Sequence, residues 1–302
     1  MKKSFKLFLA AAVLVTEFFV VALPLMITSA KADGHPIQAI THAGFGGGTD
    51  VTTRMMLLRT RRYLKQDMQL VNKKGGGGAA SMDYMMTLPA DGQHTLTWTT
   101  GHAVSMALGK TKVKLSDMQP LARGTDDPQL FVVNCKNDIK DAKKFISAQK
   151  SKSLKYGTTH VGGIDDVSAI AFTKKGKLTD PTIVPYKGVG PIKTNLIKGD
   201  IDVGVLNLGE AVTEIEDGTL CVSVVLASNR MEKLSNVPTA TELGIPVVLS
   251  TVRGFVTRKG VSADRKKQLE DAMIKAMEHK YFQSFLTDIG LDSTSVVGAD
   301  EW

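Results

Sequence analysis

Residues 41–54 read THAGFGGGTDVTTR, and this stretch indicates how the chain folds. A short apolar run at residues 37–40 stops at the glycines, and Asp50 then opens a helical pattern. Glycines let backbone amides approach a ligand closely, and the helix that follows aims its unpaired N–H groups the same way. Taken alone, the stretch predicts either an anion-binding loop or a tight turn in which Asp50 complements the helix dipole.

The same order of strand, loop and helix repeats along the chain. Strands are expected at residues 37–40, 68–71, 95–99, 130–133, 155–157, 182–184, 203–206 and 222–226. Helices are expected at residues 51–64, 79–88, 139–149, 166–172, 191–197, 263–277 and 282–288. This alternation predicts an α/β protein with largely parallel sheets, divided into two lobes. Ligands of such sheets bind beyond the carboxyl ends of the strands, where the glycine-rich loops fall.

Residues 1–32 have the pattern of a secretory signal peptide. A lysine-rich start precedes an apolar run over residues 7–27, and the A-x-A pattern of residues 30–32 forms a cleavage site. We therefore expect export to the periplasm, although Glu17 and the length of the run leave an uncleaved anchor open. Removing four lysines and Glu17 with this segment lowers the net charge from +8 to +5.

Composition and spacing argue against several classes of function. Scattered lysines and an aromatic content of 6% do not favour nucleic-acid binding. The histidines are isolated and the two cysteines form no CxxC pair, so no metal site is expected. Gly75, Gly77 and Ala80 match a dinucleotide fingerprint, but no acidic residue on a strand end follows at the required distance, and we expect no cofactor. Because no nucleophile elbow or acid–base pair is recognisable, binding is favoured over catalysis.

Two further loops at strand ends offer polar groups. Residues 157–166 read GTTHVGGIDD and combine threonine hydroxyls with glycine amides and two aspartates. Residues 184–188 read VPYKG and carry a phenol and an ammonium group. Both loops have a simpler interpretation, because an aspartate can cap the helix after the first loop and Lys187 can be solvated in the second.

Taken in order, these motifs resemble the substrate-binding proteins of tripartite tricarboxylate transporters, also called the Bug receptors. The resemblance covers essentially the whole chain after the signal segment. The GGxxDxxxR motif of the family stands at residues 46–54, VPYKG is intact at residues 184–188, and PTxxELG stands at residues 238–244. The family's NRPGAGG is similar to NKKGGGG at residues 72–78, its DG-x-TL is similar to residues 91–96, and G-x-(I/V)-D is similar to residues 199–202.

Four positions depart from the family pattern. Phe45 and Lys74 stand where prolines are usual, His160 replaces a glycine, and Gly163 replaces a frequent serine. These departures bear on the identity of the ligand more than on its class. The chain also stops at Trp302, where similar proteins usually continue into another helix.

The resemblance implies a two-lobed type II periplasmic binding protein, or Venus flytrap, in which each lobe is a mostly parallel sheet flanked by helices. Lobe one would comprise residues 33–131 and 248–302, and lobe two residues 132–247. The implied function is capture of a small organic carboxylate with one, two or three acid groups, and its delivery to membrane permease subunits. We expect a monomer. The alternatives are a receptor that reports the ligand to a membrane sensor kinase and, less favoured, an enzyme on the same scaffold.

The resemblance also implies the residues of the site. No catalytic residue is implied, and the cleft between the lobes would be formed by the strand-end loops. The implied ligand-binding residues are Phe45, Gly46, Gly47, Thr49, Asp50, Gly77, Gly78, Ala79, Thr100, His102, Thr158, Thr159, Asp165, Tyr186 and Asn207. In this fold the strand before Cys135 pairs with the strand after Cys221, so the resemblance implies a disulfide between these two residues.

Overall fold

The computed structural model describes residues 35–159 and 161–302. The expected signal peptide and His160 lie outside these residues. The strands are β1 (Ile37–Thr41), β2 (Met68–Asn72), β3 (His94–Thr99), β4 (Met118–Pro128), β5 (Leu130–Asn134), β6 (Lys155–Thr158), β7 (Thr182–Pro185), β8 (Val203–Leu206), β9 (Leu220–Val225), β10 (Ser250–Arg258) and β11 (Val297–Gly298). The helices are α1 (Gly48–Leu64), α2 (Ala79–Met86), α3 (Thr100–Ala107), α4 (Ala142–Ser151), α5 (Ile164–Lys175), α6 (Val189–Lys198), α7 (Leu208–Glu216), α8 (Ala263–Met277) and α9 (Lys280–Asp288).

These elements form two sheets, one in each lobe. The strand order is β11-β4-β10-β3-β1-β2 in lobe one and β7-β6-β8-β5-β9 in lobe two. The expected two-lobed α/β fold is confirmed, and both of its sheets are mixed: β10 is antiparallel to β3 and β4, and β5 is antiparallel to β8 and β9. The reason is that β5 and β10 enter their sheets directly from the other lobe, without the helical crossover that makes neighbouring strands parallel.

The two crossings between the lobes lie side by side. β4 ends at Pro128 and β5 begins at Leu130, and the chain returns to lobe one at Ser250. The amide of Gln129 donates to the carbonyl of Leu249 at 3.0 Å, which ties one crossing to the other. The lobe boundaries expected at residues 131 and 248 lie close to these crossings and stay a prediction; Leu130 already pairs with Leu206 of lobe two, and Leu249 packs against the core of that lobe.

Each sheet is covered on both faces. In β5, Phe131 and Val133 belong to one core cluster and Leu130 and Val132 to another, as the two-residue period of a strand requires. Strands buried on both faces read as continuous apolar runs, which explains why β5 was recognisable in the sequence. At the end of β5, Cys135 forms a disulfide with Cys221 of β9, with the two Cα atoms 5.0 Å apart.

Several elements had no clear sequence signal. β4 reads MQPLARGTDDP, which is poor in strand-forming residues, and it is a strand because it pairs with β10 on one side and β11 on the other. The helices α3 and α7, the long strand β10 and the short β11 were also not anticipated. Within residues 35–159 and 161–302, no helix has the length and apolarity that crossing a bilayer would need.

Candidate functional site

A cavity of about 690 Å³ is lined by residues of both lobes. Lobe one contributes the loop between β1 and α1, the glycine loop before α2, and the strands that lead to the crossings. Lobe two contributes the first turns of α5, α6 and α7. The wall includes, from lobe one, residues 42–49, Gly77, Gly101, Asp127, Thr251, Arg253, Phe285 and Ile289, and, from lobe two, Thr159, Ile164, Asp165, residues 188–190, Lys193, Asn207, Gly209 and Glu210.

The loop between β1 and α1 is held in shape by Asp50. Its carboxylate accepts the amide of Gly46 at 3.0 Å and pairs with Nε of Arg54 at 2.9 Å. Burial opposes ionisation of Asp50, but the bonds from Arg54 and Gly46 together outweigh it and leave the pKa of Asp50 below its ordinary value. The positive φ of Gly46, 75°, gives the loop its turn. Because Asp50 is engaged with its own loop, the first amides of α1, at Gly48 and Thr49, remain for a ligand at the wall.

The second glycine loop, residues 75–78 before α2, is fixed by a chain of hydrogen bonds through His102. The amide of Thr99 donates to Nδ1 of His102 at 3.0 Å, so the ring proton is on Nε2 and is directed at Oγ of Ser81, 3.1 Å away. Ser81 in turn donates to the carbonyl of Gly78 at 2.7 Å. Burial, together with nearby His42, lowers the pKa of His102 well below its usual value and keeps the ring neutral. His102 therefore positions the loop and does not reach the cavity.

A buried ion pair lies at the base of the cavity, between the crossing strands. Nη1 of Arg253 in β10 is 3.1 Å from Oδ2 of Asp127 in β4, and the two residues are only 5% and 3% exposed. Burial raises the pKa of Asp127 to about 6, although Arg253 opposes the shift. The guanidinium also lies against the start of α1, because a Cβ placed on Gly48 would be 2.8 Å from Nη2. A cation thus stands beside the positive end of a helix dipole.

Lobe two faces this pair with an acidic wall. Asn207 precedes α7 and donates from Nδ2 to the carbonyls of Asp127 and Pro128, at 2.9 and 3.0 Å. The backbone amide of Asn207 donates to Oε2 of Glu210 at 3.0 Å. Burial raises the pKa of Glu210 to about 7; the amide of Asn207 opposes this shift, and the charge of Asp165 adds to it. Asn207 therefore links the lobes, and Glu210 is partly protonated at neutral pH.

The sequence profile of a protein family, the tripartite tricarboxylate transporter family receptor (TctC), matches residues 52–300. The chain belongs to this family. The resemblance drawn from the sequence motifs is thereby confirmed, and the two mixed sheets with their helices agree with solved TctC structures. TctC members are receptors, and this chain is a periplasmic solute-binding protein of that family.

Relatives of this TctC protein are distant in sequence but similar in fold. The protein BugT of Bordetella pertussis is 27% identical over 220 residues, which cover 70% of this chain and 66% of BugT. A TctC solute-binding protein from Polaromonas has 24% identity and a TM-score of 0.76, covering 90% of this chain and 93% of the other. MatC from Rhodopseudomonas palustris, solved with bound malate, has 25% identity and a TM-score of 0.72, covering 84% and 88%.

The structure brings eight of the fifteen expected site residues of this TctC protein to the cavity wall. They are Phe45, Gly46, Gly47, Thr49, Gly77, Thr159, Asp165 and Asn207. Their contact with a ligand stays a prediction.

The other seven expected residues are not part of the cavity wall. Gly78 faces the ring of His102, Ala79 and Thr158 are buried, and the hydroxyl of Thr100 donates to the carbonyl of Ser250 at 3.0 Å. Tyr186 packs against the core of lobe two. Asp50 and His102 have the internal partners described above, and the role of all seven residues in ligand binding stays a prediction.

Sequence reasoning missed four of the charged residues of the wall. These are Asp127, Lys193, Glu210 and Arg253. The one available signal was positional, because the strands that join two lobes must pass beneath the cleft, and an aspartate pair at residues 126–127 directly before the first crossing is unusual for a strand.

Proposed function

We propose that this TctC-family protein captures a small organic carboxylate in the periplasm and delivers it to a tripartite tricarboxylate-type membrane permease. The observation that carries the proposal is the position of Arg253, whose buried guanidinium lies against the first turn of α1 at the cavity wall. A helix N-terminus and a guanidinium are both strong partners of a carboxylate, and here they meet at one point. The malate bound by MatC, a solved structure similar to this chain, supports the same class of ligand.

Delivery to a permease requires that the bound and empty proteins differ in shape. The lobes are joined at two adjacent crossings, which meet at Gln129 and Leu249, and a rotation about this line would open or close the cavity. A ligand held by α1 on one side and by lobe two on the other would favour the closed arrangement, because it binds that arrangement better. A permease could then distinguish loaded from empty receptor.

The test is a thermal-shift panel of acetate, succinate, L-malate, adipate and citrate, with the uncharged diamide of succinate as the control. A ligand at a hundred times its Kd stabilises by about 2.7 kcal/mol, which corresponds to a rise in Tm of about 5–10 °C for a chain of this size. We expect such a rise for at least one acid and none for the diamide. No rise with any acid, or an equal rise with the diamide, would contradict carboxylate binding.

Delivery is tested separately by pull-down of detergent-solubilised permease subunits with the loaded and the empty receptor. We expect retention of the permease subunits by the loaded receptor. Retention of a membrane sensor kinase instead of the permease would favour a signalling role.

A further inference from the structure

Basic side chains surround an exposed tyrosine where the end of α1 meets the start of α9. Cζ of Arg59 lies 4.8 Å from the ring centroid of Tyr281, and Nζ of Lys280 lies 5.7 Å from it. The ring of His279 is 4.9 Å from that of Tyr281. Arg62 belongs to the same group, because its positive charge acts on the ring of His279. We call these five residues the basic patch.

The positive charges of the basic patch are not neutralised by nearby carboxylates. Among residues 35–159 and 161–302, neither Arg59, Arg62 nor Lys280 forms an ion pair with an aspartate or a glutamate. Desolvation, followed by the charges of the same three residues, lowers the pKa of His279. A histidine whose protonation is opposed by neighbouring cations indicates an uncompensated positive field, which attracts an anionic partner.

The helix dipoles do not account for this concentration of charge. Arg62 lies in the last turn of α1, where a cation complements the negative end of the helix. Lys280 is the first residue of α9, whose first turn contains no acidic residue, and a cation is disfavoured at this positive end. Lys280 therefore adds its charge to that of the helix end, and the stability of α9 does not explain its presence.

Exposed apolar side chains stand among the arginines. Leu58 and Tyr63 of α1 are exposed, as is Tyr281 at the start of α9. Leu58 precedes Arg62 by four positions and Arg59 precedes Tyr63 by four, so each arginine has an apolar neighbour on the helix surface. A face that mixes basic, aromatic and aliphatic side chains is typical of contact with a charged lipid surface.

The basic patch lies far from the cavity and on one lobe only. α1 begins with Gly48 at the cavity wall, and its 17 residues extend about 25 Å. The other end of α9 reaches the same wall through Phe285. Because all five patch residues belong to lobe one, a rotation between the lobes leaves the patch unchanged. A permease that distinguishes loaded from empty receptor needs a contact that changes on closure, so the patch suits a partner that binds both states.

We propose that the basic patch binds the anionic phospholipid surface of the membrane that faces the periplasm. Its arginines and its lysine contact the lipid phosphates, and the exposed tyrosines and leucine of this face lie among the head groups. This contact goes beyond the carboxylate capture proposed above and does not depend on it. It holds the loaded and the empty receptor alike at the membrane, which raises the receptor concentration available to a permease.

The experiment is co-sedimentation of the exported receptor with vesicles of phosphatidylcholine, either alone or with about 30 mol% phosphatidylglycerol, in about 50 mM salt. We expect sedimentation with the anionic vesicles only, its loss at about 300 mM salt because surface charges are then strongly screened, and no effect of any acid that raises Tm in the thermal-shift panel. Equal sedimentation with both vesicles, sedimentation with neither, or sedimentation only with the acid present would overturn the proposal. None of these results alters the thermal-shift test of carboxylate binding, which contains no lipid.

Two triple variants with the same change of net charge separate the patch from the charge of the whole protein. The first removes the three permanent charges of the patch: Arg59→Gln, Arg62→Gln and Lys280→Gln. The second removes three exposed lysines of lobe two, in and directly after α4: Lys143→Gln, Lys150→Gln and Lys152→Gln. Each charge near an anionic surface contributes a factor of about five, so the first variant should bind anionic vesicles about a hundredfold more weakly and the second within about threefold of wild type. Equal weakening by both variants would overturn the assignment to the patch.

A charge-conserving variant distinguishes a lipid surface from an acidic protein surface. Arg59→Lys with Arg62→Lys keeps both charges but removes the planar guanidinium groups that bind carboxylates in a bidentate manner. A lipid surface responds mainly to charge, so this variant should bind anionic vesicles within about threefold of wild type. A loss as large as that of the glutamine variant would contradict lipid binding. Unchanged acid titration and Tm in the absence of vesicles show that each variant is folded.

Discussion

Replacing Gly48 with alanine would displace Arg253 without altering its chemistry. An alanine Cβ at this position would be 2.8 Å from Nη2 and 3.3 Å from Cζ of the guanidinium. Gly48 is the first residue of α1 and does not have a positive φ, so alanine fits its backbone without strain. The main effect of the new methyl group is therefore to push the guanidinium away from the start of the helix.

The size of the effect follows from the contacts. A methyl carbon only 2.8 Å from Nη2 forces the guanidinium to move by several tenths of an ångström. Because Asp127 holds Nη1 at 3.1 Å, the guanidinium must turn away from the start of α1. A hydrogen bond to a charged group is worth about 1.5–3 kcal/mol, so a ligand that depends on it should bind about 10 to 150 times more weakly. Stability should change by less than about 1 kcal/mol, because alanine is the better helix former.

The assay is calorimetric titration with the acid that raises Tm most in the panel, combined with thermal unfolding of the free protein. Gly190→Ala is the matched control, since Gly190 lies in the first turn of α6 at the same cavity and a Cβ there meets no atom within 4 Å. We expect that control to bind within about threefold of wild type. If Gly48→Ala binds as tightly as Gly190→Ala, Arg253 is not the carboxylate partner and the reasoning is refuted.

Three other changes test different parts of the structure. Gly46→Val should abolish carboxylate binding in titrations while circular dichroism remains unchanged, since the φ of 75° at Gly46 excludes a β-branched residue in the present loop; unchanged affinity would count against the loop. Cys135→Ser with Cys221→Ser should lower the free energy of unfolding in urea by about 4–5 kcal/mol, because the 86-residue separation leaves a long loop unclosed, and a loss below 1 kcal/mol would contradict this. The pKa of Glu210 rises from 4.5 to about 7 on folding, so the native state keeps a proton that the unfolded chain releases. The free energy of unfolding of wild type should therefore fall by about 3 kcal/mol relative to that of Glu210→Gln between pH 4.5 and pH 8. A difference in urea denaturation that does not change with pH would exclude the shift.

Much of the fold could be predicted from the sequence because the signals were local. The buried strands of lobe two, such as β8 and β5, are continuous apolar runs, and the helix α8 has the bounds that its periodicity predicts. The mixed sheets could not be predicted in this way. Strand direction depends on whether the chain enters the strand from a helix of the same lobe or from the other lobe. The sequence of β4 alone does not predict a strand, and β4 forms one because it pairs with β10.

Prediction of the site has the same limit: features formed by adjacent residues could be recognised in the sequence, whereas pairs of residues far apart in sequence could not. The glycine loop after β1 is formed by a few consecutive residues, so its position at the cavity could be predicted. Arg253 and Asp127 are 126 positions apart in sequence, and neither has a motif around it. They meet because β4 leaves lobe one and β10 returns to it as neighbouring antiparallel strands. A topology of this kind places the residues of both crossings beneath the cleft, so substitutions there can change the charge facing a ligand while leaving the glycine loops intact. The proposed function thus assigns the carboxylate class of the ligand to the glycine loops, and selection among carboxylates to the residues of the crossing strands.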